Sequence, residues 1–260
     1  MHTWQWQTWN DLPYLTCDLL DGWVHGFFTQ QFWSRSPAHL AQVLQPETTS
    51  YRVKQVHGNT VLKASEAGID QLDATELELP EADGLLSEQP DQAVWVCTAD
   101  CTPVLIGDAA TGQVSAIHAG WRGTARKIVP QAIAQMQASG SRLADLRIAL
   151  GPAISGSVYQ VTEEVAAEVV ETVVETPGES PQSILEVAHQ LASPPVMKDK
   201  APGRAKLDVR RVISLQLEQM NINAEQVAIA PNCTYQEPDN FFSYRRTKEK
   251  KVQWSGIVSR

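Results

Sequence analysis

The sequence predicts an α+β fold with mixed sheets. Short apolar runs recur along the 260-residue chain, and most are bounded by glycine, proline, asparagine or aspartate, which is typical of strands. Helical patterns lie between these runs at irregular intervals, whereas a doubly wound sheet alternates regularly with helices. The length and the 43% hydrophobic content suffice for a substantial core, in one large domain or two small ones.

The predicted strands lie within residues 22–29, 50–61, 93–100, 102–108, 113–120, 146–154, 226–235 and 240–246. The predicted helices lie within residues 37–45, 124–140, 161–176 and 207–221. In the second helix, Thr124 is the expected N-cap and Gly140 the end, and Pro130 should end, kink or delay the helix. Thr162 precedes two glutamates, and Asp208 precedes an apolar stripe, so both fit helix starts.

Composition limits the classes of partner and location. The formal charge of −9 argues against a non-specific nucleic-acid surface, so we expect a small-molecule ligand. The first residues lack the basic start and apolar run of a signal peptide, and no stretch approaches the length of a membrane span. We therefore expect a cytoplasmic protein without membrane contact. Residues 177–206 are rich in proline and glycine and predict an irregular insertion with a short helix.

A hairpin is predicted around residues 108–112. The runs TPVLIG and QVSAIH flank DAATG, which is suited to a turn. If the turn centres near Ala110, residues whose numbers sum to about 220 face one another. Cys101 should then lie near the segment from His118 to Gly120.

A cysteine and a histidine in contact can bind a metal or act as nucleophile and base. His57, at the end of another apolar run, is the candidate third ligand, and three ligands suit a catalytic zinc with one open position. Cys97 instead offers a closed Cys2His2 structural site, with an inert buried Cys101 as a further alternative. Asp100 and Asp83 could orient an imidazole or move a proton, and Asp83 could equally be a turn residue.

Several motifs occur in one order along the chain: QVHG, ADG, TADC-x-PV, HAGWRG, GP-x-I, LD, CT and FFSYRR. In these motifs the chain resembles the YfiH (DUF152) family of laccase-domain proteins over almost its whole length. The resemblance implies a single four-layer α/β/β/α domain over residues 1–260. It also implies a zinc held by His57, Cys101 and His118, which selects against the closed Cys2His2 site.

The resemblance implies a zinc-dependent purine nucleoside phosphorylase acting on adenosine, inosine, guanosine and methylthioadenosine, with adenosine deamination as a side activity. Other family members have been called polyphenol oxidases or editors of peptidoglycan precursors. Six histidines without a His-x-His pair exclude a full multicopper laccase, but a single copper on two histidines and a cysteine stays open. The alternatives are therefore a copper-dependent oxidase, a hydrolase with Cys101 as nucleophile and His118 as base, and a zinc-stabilised binding module.

Phosphorolysis requires a site for phosphate, and Arg122 in HAGWRG is the best candidate. Arg245 and Arg246 form a second cationic pair beside aromatic residues, although a surface ion-pair role suits them equally. In deamination, a metal ion would activate water, with Asp100 as the expected proton carrier and Asp83 as the reserve.

Other positions depart from the family pattern. Gln30 stands where many members have arginine, which makes His25 a candidate anion-binding residue, and Ser157 stands near the usual place of a cysteine. Trp121 is expected to pack under the site rather than stack on a purine. Purine nucleoside and phosphate are the expected ligands of a monomeric protein.

Overall fold

The computed structural model describes residues 2–72, 78–174 and 180–260. Within these residues the strands are β1 (Trp4–Trp9), β2 (Leu12–Cys17), β3 (His25–Phe28), β4 (Thr49–Arg52), β5 (Val61–Lys63), β6 (Gly68–Asp70), β7 (Gly84–Leu86), β8 (Gln92–Thr98), β9 (Thr102–Asp108), β10 (Val114–Ala119), β11 (Leu146–Leu150), β12 (Gln160–Thr162), β13 (Val196–Lys198), β14 (Arg204–Leu207), β15 (Val227–Ile229) and β16 (Gln253–Val258). The helices are α1 (Pro37–Leu44), α2 (Trp121–Ala125), α3 (Ile128–Ala138), α4 (Glu163–Val170), α5 (Pro181–Ala188), α6 (Val209–Gln219) and α7 (Tyr244–Thr247).

Two large sheets form the centre of the molecule. The first has the strand order β1-β2-β3-β16-β8-β4-β6, and the second has the order β15-β11-β9-β10-β7-β5. Both are mixed, because β4 runs parallel to β8 in the first sheet and β11 runs parallel to β15 in the second. A third, three-stranded sheet has the order β12-β14-β13.

The first sheet is apolar on both faces. Along β8, Val94 and Val96 point into the cluster between the two large sheets, and Ala93 and Trp95 pack on the opposite face with Leu40 of α1. This division follows from the two-residue period of a strand. The first sheet therefore lies between α1 and the second sheet.

The second sheet is also covered on both faces. Leu105 of β9 faces the first sheet, whereas its neighbours Val104 and Ile106 pack against a cluster that includes residues of α3, α4 and α6. The layers are thus helix, sheet, sheet and helices, and the predicted four-layer α+β architecture is confirmed.

The helix starts show which local signals hold. Thr162 and Asp208 are the N-caps of α4 and α6, and each side chain accepts a backbone N–H of its first turn. Thr124 is not an N-cap, because a short helix already begins at Trp121 and ends before Lys127, whose φ is +55°. Pro130 lies in the first turn of α3, where no intrahelical N–H is needed, so it delays the helix.

The segment 177–206 contains more regular structure than its composition predicts. It holds α5, β13 and most of β14, and residues 177–179 lie outside the described part. No helix in the described ranges has both the length and the apolar character needed to cross a bilayer.

Candidate metal centre

Two chain crossings between the large sheets bring the candidate ligands together. His57 lies on the connection from β4 in the first sheet to β5 in the second, and Cys101 lies on the connection from β8 to β9. His118 is the second-last residue of β10, which pairs with β9. The site therefore forms at one end of the space between the sheets.

The β9–β10 hairpin has the predicted register to within one residue. Val114 pairs with Gly107 and His118 pairs with Pro103, so the paired numbers sum to 221. Cys101 directly precedes β9, and a Cβ atom added to Gly120 would lie 2.9 Å from its Sγ. The prediction that Cys101 lies near the segment from His118 to Gly120 is confirmed.

His57, Cys101 and His118 form a cluster in which the ligand atoms all lie within 4.8 Å of one another. The two imidazole rings are nearly perpendicular, with their centroids 4.7 Å apart. His57 is exposed, Cys101 is half-buried and His118 is 3% exposed, so the cluster opens to solvent on the side of His57.

Asp83 is fully buried and contacts two of these ligands, at the backbone of His57 and at the ring of His118. Its Oδ1 accepts the backbone N–H of His57 at 2.9 Å and lies 2.8 Å from Nδ1 of His118. Its Oδ2 accepts the N–H groups of Val56 and Gly58 at 3.2 and 2.6 Å. Burial raises the pKa of Asp83, but His118 and these N–H groups outweigh that effect and hold the pKa below its usual range.

The close approach of two segments explains the glycine at position 120. Besides lying 2.9 Å from Sγ of Cys101, an added Cβ would lie 3.5 Å from Cδ2 of His57. The φ of Gly120 is −77°, which any residue adopts, so space rather than backbone conformation requires the glycine.

The charges within the cluster favour a thiolate. Burial raises the pKa of Cys101, but the two neighbouring histidines lower it to about 6. Burial lowers the pKa of His118, but the Cys101 thiolate and the Asp83 carboxylate raise it to about 9. A cysteine thiolate is the form that binds metal ions and acts as a nucleophile.

The donor set fits a metal ion. One thiolate and two imidazoles are common zinc ligands, and three protein ligands leave a fourth position open. His118 uses Nδ1 on a carboxylate and keeps Nε2 for a metal, the usual arrangement of a metal-binding histidine. Cys97 is not part of the cluster, so the described residues do not form the closed Cys2His2 site.

The structure also bears on copper. A blue-copper site adds a weak axial methionine to two histidines and a cysteine. The described methionines are Met136 in α3, Met197 in β13 and Met220 after α6, and none lies on the segments that carry the ligands. The segments that carry the ligands therefore do not supply the axial methionine of a blue-copper site.

Asp100 connects Cys101 to three other segments. Its carboxylate accepts the hydroxyl of Thr234 and the backbone N–H of Arg245, both at 2.7 Å, and its carbonyl accepts the N–H of Ile154. Its φ is +102°, which is uncommon for an aspartate, and it is 9% exposed. Both carboxylate oxygens are thus in use.

The predicted arginine Arg245 lies against Tyr159, which sequence reasoning does not single out. The Arg245 guanidinium lies 5.0 Å from the ring centroid of Tyr159 and donates to the carbonyl of Gln160 at 2.7 Å. Burial and the nearby Cys101 raise the pKa of Tyr159 to about 12, against the smaller lowering effect of Arg245 and Arg122. Arg245 also donates its backbone N–H to Asp100, the residue before Cys101, so Tyr159 and Arg245 are linked to the cluster.

Arg122 is exposed, with its guanidinium 4.4 Å from the ring centroid of Trp121. Trp121 is partly buried and packs against the core cluster that includes residues of α3, α4 and α6, and its position under the site stays a prediction. Arg246 is used structurally, since it donates to the carbonyls of Thr234, Tyr235 and Phe241.

The structure gives no support for anion binding at His25. Its two ring nitrogens meet the N–H of Cys17 and the carbonyl of Trp23, both at 2.9 Å, and it is 5% exposed. Gln30 donates to the carbonyl of Pro238, and Ser157 is exposed in the segment between β11 and β12. None of the three belongs to the metal-binding cluster.

The chain is similar to several known proteins. The sequence profile of the family described as multi-copper polyphenol oxidoreductase laccase matches residues 34–259. A protein of Synechocystis named purine nucleoside phosphorylase is 49% identical, covering 98% of this chain and 97% of its own. A protein of an unknown prokaryotic organism named adenosine deaminase RL5 is 29% identical, covering 67% of this chain and 61% of its own.

Solved structures show the same fold. YlmD from Geobacillus stearothermophilus superposes with a TM-score of 0.78 at 25% identity, covering 98% of each chain. YfiH from Bacillus licheniformis superposes with a TM-score of 0.74 at 23% identity, covering 95% of this chain and 96% of its own. The chain therefore belongs to the laccase-domain family that includes YfiH and YlmD.

Proposed function

We propose that the chain is a zinc-dependent purine nucleoside phosphorylase that also deaminates adenosine. The observation that carries this proposal is a cluster of three residues that could hold a metal, to which Arg245 and Tyr159 are linked through Asp100. The names of two relatives, purine nucleoside phosphorylase and adenosine deaminase, support the substrate class. The proposed substrates are phosphate with adenosine, inosine, guanosine or methylthioadenosine.

In this proposal His57, Cys101 and His118 hold the zinc. When bound, zinc supplies a Lewis acid and lowers the pKa of a coordinated water. Asp83 fixes the ring of His118 and the backbone at His57, so the His118 imidazole and the segment that carries His57 are held before the metal binds. The exposed side of His57 is the side from which substrate enters.

Arg122 and Arg245 are proposed to bind phosphate. In phosphorolysis a phosphate oxygen bonds to the anomeric carbon of ribose while the bond from that carbon to the purine nitrogen breaks. The purine leaves with the electron pair of this bond and takes up a proton. Guanidinium groups bind phosphate through paired hydrogen bonds and stabilise the charge that develops.

Tyr159 is proposed to bind the leaving purine. Its pKa of about 12 keeps the phenol protonated at neutral pH, so the hydroxyl can donate a hydrogen bond to a purine nitrogen. The ring contact with Arg245 holds the tyrosine beside a proposed phosphate ligand. Base and phosphate would then be bound by neighbouring residues.

Deamination requires a proton for the departing ammonia, and Asp100 is the expected carrier. Its oxygens accept the Thr234 hydroxyl and the Arg245 N–H, and those of Asp83 accept four donors. These contacts support positioning roles for both carboxylates. The proton-carrying role of Asp100 stays a prediction.

The test is product analysis with inosine, in the presence and absence of phosphate. We expect free hypoxanthine and ribose 1-phosphate in equal amounts, and only when phosphate is present. Arg122→Ala should raise the KM for phosphate more than the KM for inosine. The matched control is Arg142→Ala, because Arg142 is an exposed arginine in the connection between α3 and β11. Base release without phosphate would contradict the proposal.

A second candidate function is hydrolysis of an amide, such as one in a peptidoglycan precursor, by Cys101. The observation that favours it is the sequence of contacts from Cys101 to His118 and from His118 to Asp83, which resembles a nucleophile, a base and an orienting carboxylate. Here the Cys101 thiolate attacks the carbonyl carbon, and the C–N bond breaks as His118 protonates the leaving amine. Water then hydrolyses the thioester, which releases the carboxylic acid and regenerates Cys101.

Metal dependence separates the two functions. The hydrolase should work without metal and form an acyl adduct on Cys101, which mass spectrometry detects. The phosphorylase should lose activity when zinc is removed and regain it when zinc is returned. Activity that persists after metal removal, together with an acyl adduct on Cys101, would favour the hydrolase.

A further inference from the structure

Gln55 lies where β4 separates from the first sheet. The parallel pairing of β4 with β8 ends at Tyr51 and Val94, after which the chain crosses towards β5. The strand β8 continues to Thr98, so its last residues have lost their β4 neighbour. A polar backbone that is partly buried at such a place needs another hydrogen-bond partner.

The Gln55 side chain supplies that partner. Its Oε1 accepts the backbone N–H of Cys97 at 2.8 Å, and its Nε2 donates to the carbonyl of the same residue, also at 2.8 Å. The amide thus satisfies both backbone groups of Cys97. Both contacts span 42 positions in the sequence.

The other contacts of this segment lead to a different ligand. The N–H of Lys54 donates to the carbonyl of Pro80, and its carbonyl accepts the N–H of Ala82. Asp83, which follows, accepts the N–H groups at positions 56–58 and meets His118. These bonds fix His57 relative to His118 and leave its position relative to Cys101 to other contacts.

Gln55 connects the same segment to the strand that leads to Cys101. It precedes His57 by two residues, and its partner Cys97 precedes Cys101 by four. His57 has a φ of +60°, so its backbone conformation is one that surrounding contacts must hold. Asp83 and Gln55 therefore fix His57 from two sides.

We infer that Gln55 is a positioning residue that sets the separation of His57 from Cys101 and thereby the metal affinity of the cluster. This inference rests on the proposed metal site and goes beyond it, because Gln55 is not one of the three ligands and its side chain bonds the backbone of Cys97. Residues that orient metal ligands typically change metal affinity roughly 10- to 100-fold when they are replaced.

The test is a zinc titration of metal-free protein against a competing chelator. Gln55→Met has similar length and removes both hydrogen bonds, so its zinc affinity should fall roughly 10- to 100-fold. Gln55→Glu keeps an acceptor for the Cys97 N–H but places an oxygen against the Cys97 carbonyl, so it too should bind zinc more weakly. Cobalt(II) absorption provides a second readout, in which a shift of the ligand-field bands reports altered geometry.

Gln226→Met is the matched control. Gln226 also bonds backbone through its side-chain amide, donating to the carbonyls of Leu143 and Leu146. Leu146 pairs with Asp108, five residues along β9 from the partner of His118, which is roughly 17 Å at about 3.3 Å per residue. The control should lose thermal stability without losing zinc affinity.

Folded Gln55→Met with wild-type zinc affinity, or an equal loss of affinity in Gln226→Met, would overturn the inference. If Gln55→Met does not fold, Gln55→Glu decides by the same criterion. Wild-type protein that fails to bind zinc would instead overturn the proposed metal site itself, and the inference with it. The titration contains no nucleoside, so its outcome does not depend on the proposed substrate.

Discussion

Replacing Asp83 with asparagine should weaken both the fold and the metal site. In the native chain each carboxylate oxygen meets two donors. An asparagine presents one oxygen and one amino group, so two donors on one side face another donor. If the amino group faces His118, the ring must accept at Nδ1 and carry its proton on Nε2, the nitrogen needed by a metal.

The size of the effect follows from these contacts. A hydrogen bond to a charged group is worth about 1.5–3 kcal/mol, so losing two costs about 3 kcal/mol at the lower end. For a chain of this size each kcal/mol lowers the Tm by about 2–4 °C, so we expect a fall of about 6–12 °C. Zinc affinity should fall roughly 10- to 100-fold as well.

Thermal unfolding of metal-free protein measures the first effect, and zinc titration against a chelator measures the second. Asp145→Asn is the control, because Asp145 bonds the exposed Arg142 away from the cluster and should change neither value appreciably. Asp83→Asn protein with the wild-type Tm and zinc affinity would refute the positioning role of Asp83.

Three further predictions follow from single residues. Gly120→Ala should lower zinc affinity without a backbone penalty, because its Cβ would lie 2.9 Å from Sγ of Cys101; zinc titration tests this, and wild-type affinity would contradict it. Asp100→Asn can keep both side-chain contacts but cannot carry a proton, so deamination should slow roughly 10²–10⁴-fold; an unchanged rate and pH profile would contradict the proton-carrying role of Asp100. Burial lowers the pKa of His25 in the folded protein, so the unfolded chain takes up a proton first and stability should fall below pH about 6.5, by at most about 1.4 kcal/mol per pH unit. Urea unfolding at several pH values should show a smaller fall for His25→Gln, and equal falls would contradict this.

The elements that sequence reasoning predicts well depend on local signals. The β9–β10 hairpin follows from a turn between two apolar runs, and its register brings Cys101 to His118. Thr162 and Asp208 each cap a helix by accepting the backbone N–H of the residue three positions later. Cys101, His57 and His118 can be predicted as ligands from the sequence, because each directly follows or ends an apolar run.

Elements that depend on partners distant in the sequence are harder to predict. The strand predicted over residues 240–246 is wrong, because Ser243 caps the helix α7 and Arg246 bonds the carbonyl groups around it. The strand β16, near the end of the chain, inserts between β3 and β8 and has no local signal of its own. The sequence does not predict helix before Thr124, because a glycine lies on each side of Trp121 and Arg122 and glycine disfavours helix.

The same limit applies to the site. Gln55 bonds a residue 42 positions away, and Tyr159 meets Arg245 from a different segment, so neither contact leaves a pattern in the sequence. Asp83 is predicted as a possible orienting group, but its four donors come from two separate segments. The structure thus supplies the positioning residues, whereas the sequence predicts the ligands.

Returning zinc to metal-free protein while measuring phosphate-dependent release of hypoxanthine from inosine tests the proposed site most directly. The release rate should rise in proportion to bound zinc and level off at one zinc per chain, and His57→Ala should remain inactive at the same total zinc. Full release before zinc is added, or equal release by His57→Ala, would contradict catalysis at the cluster of His57, Cys101 and His118.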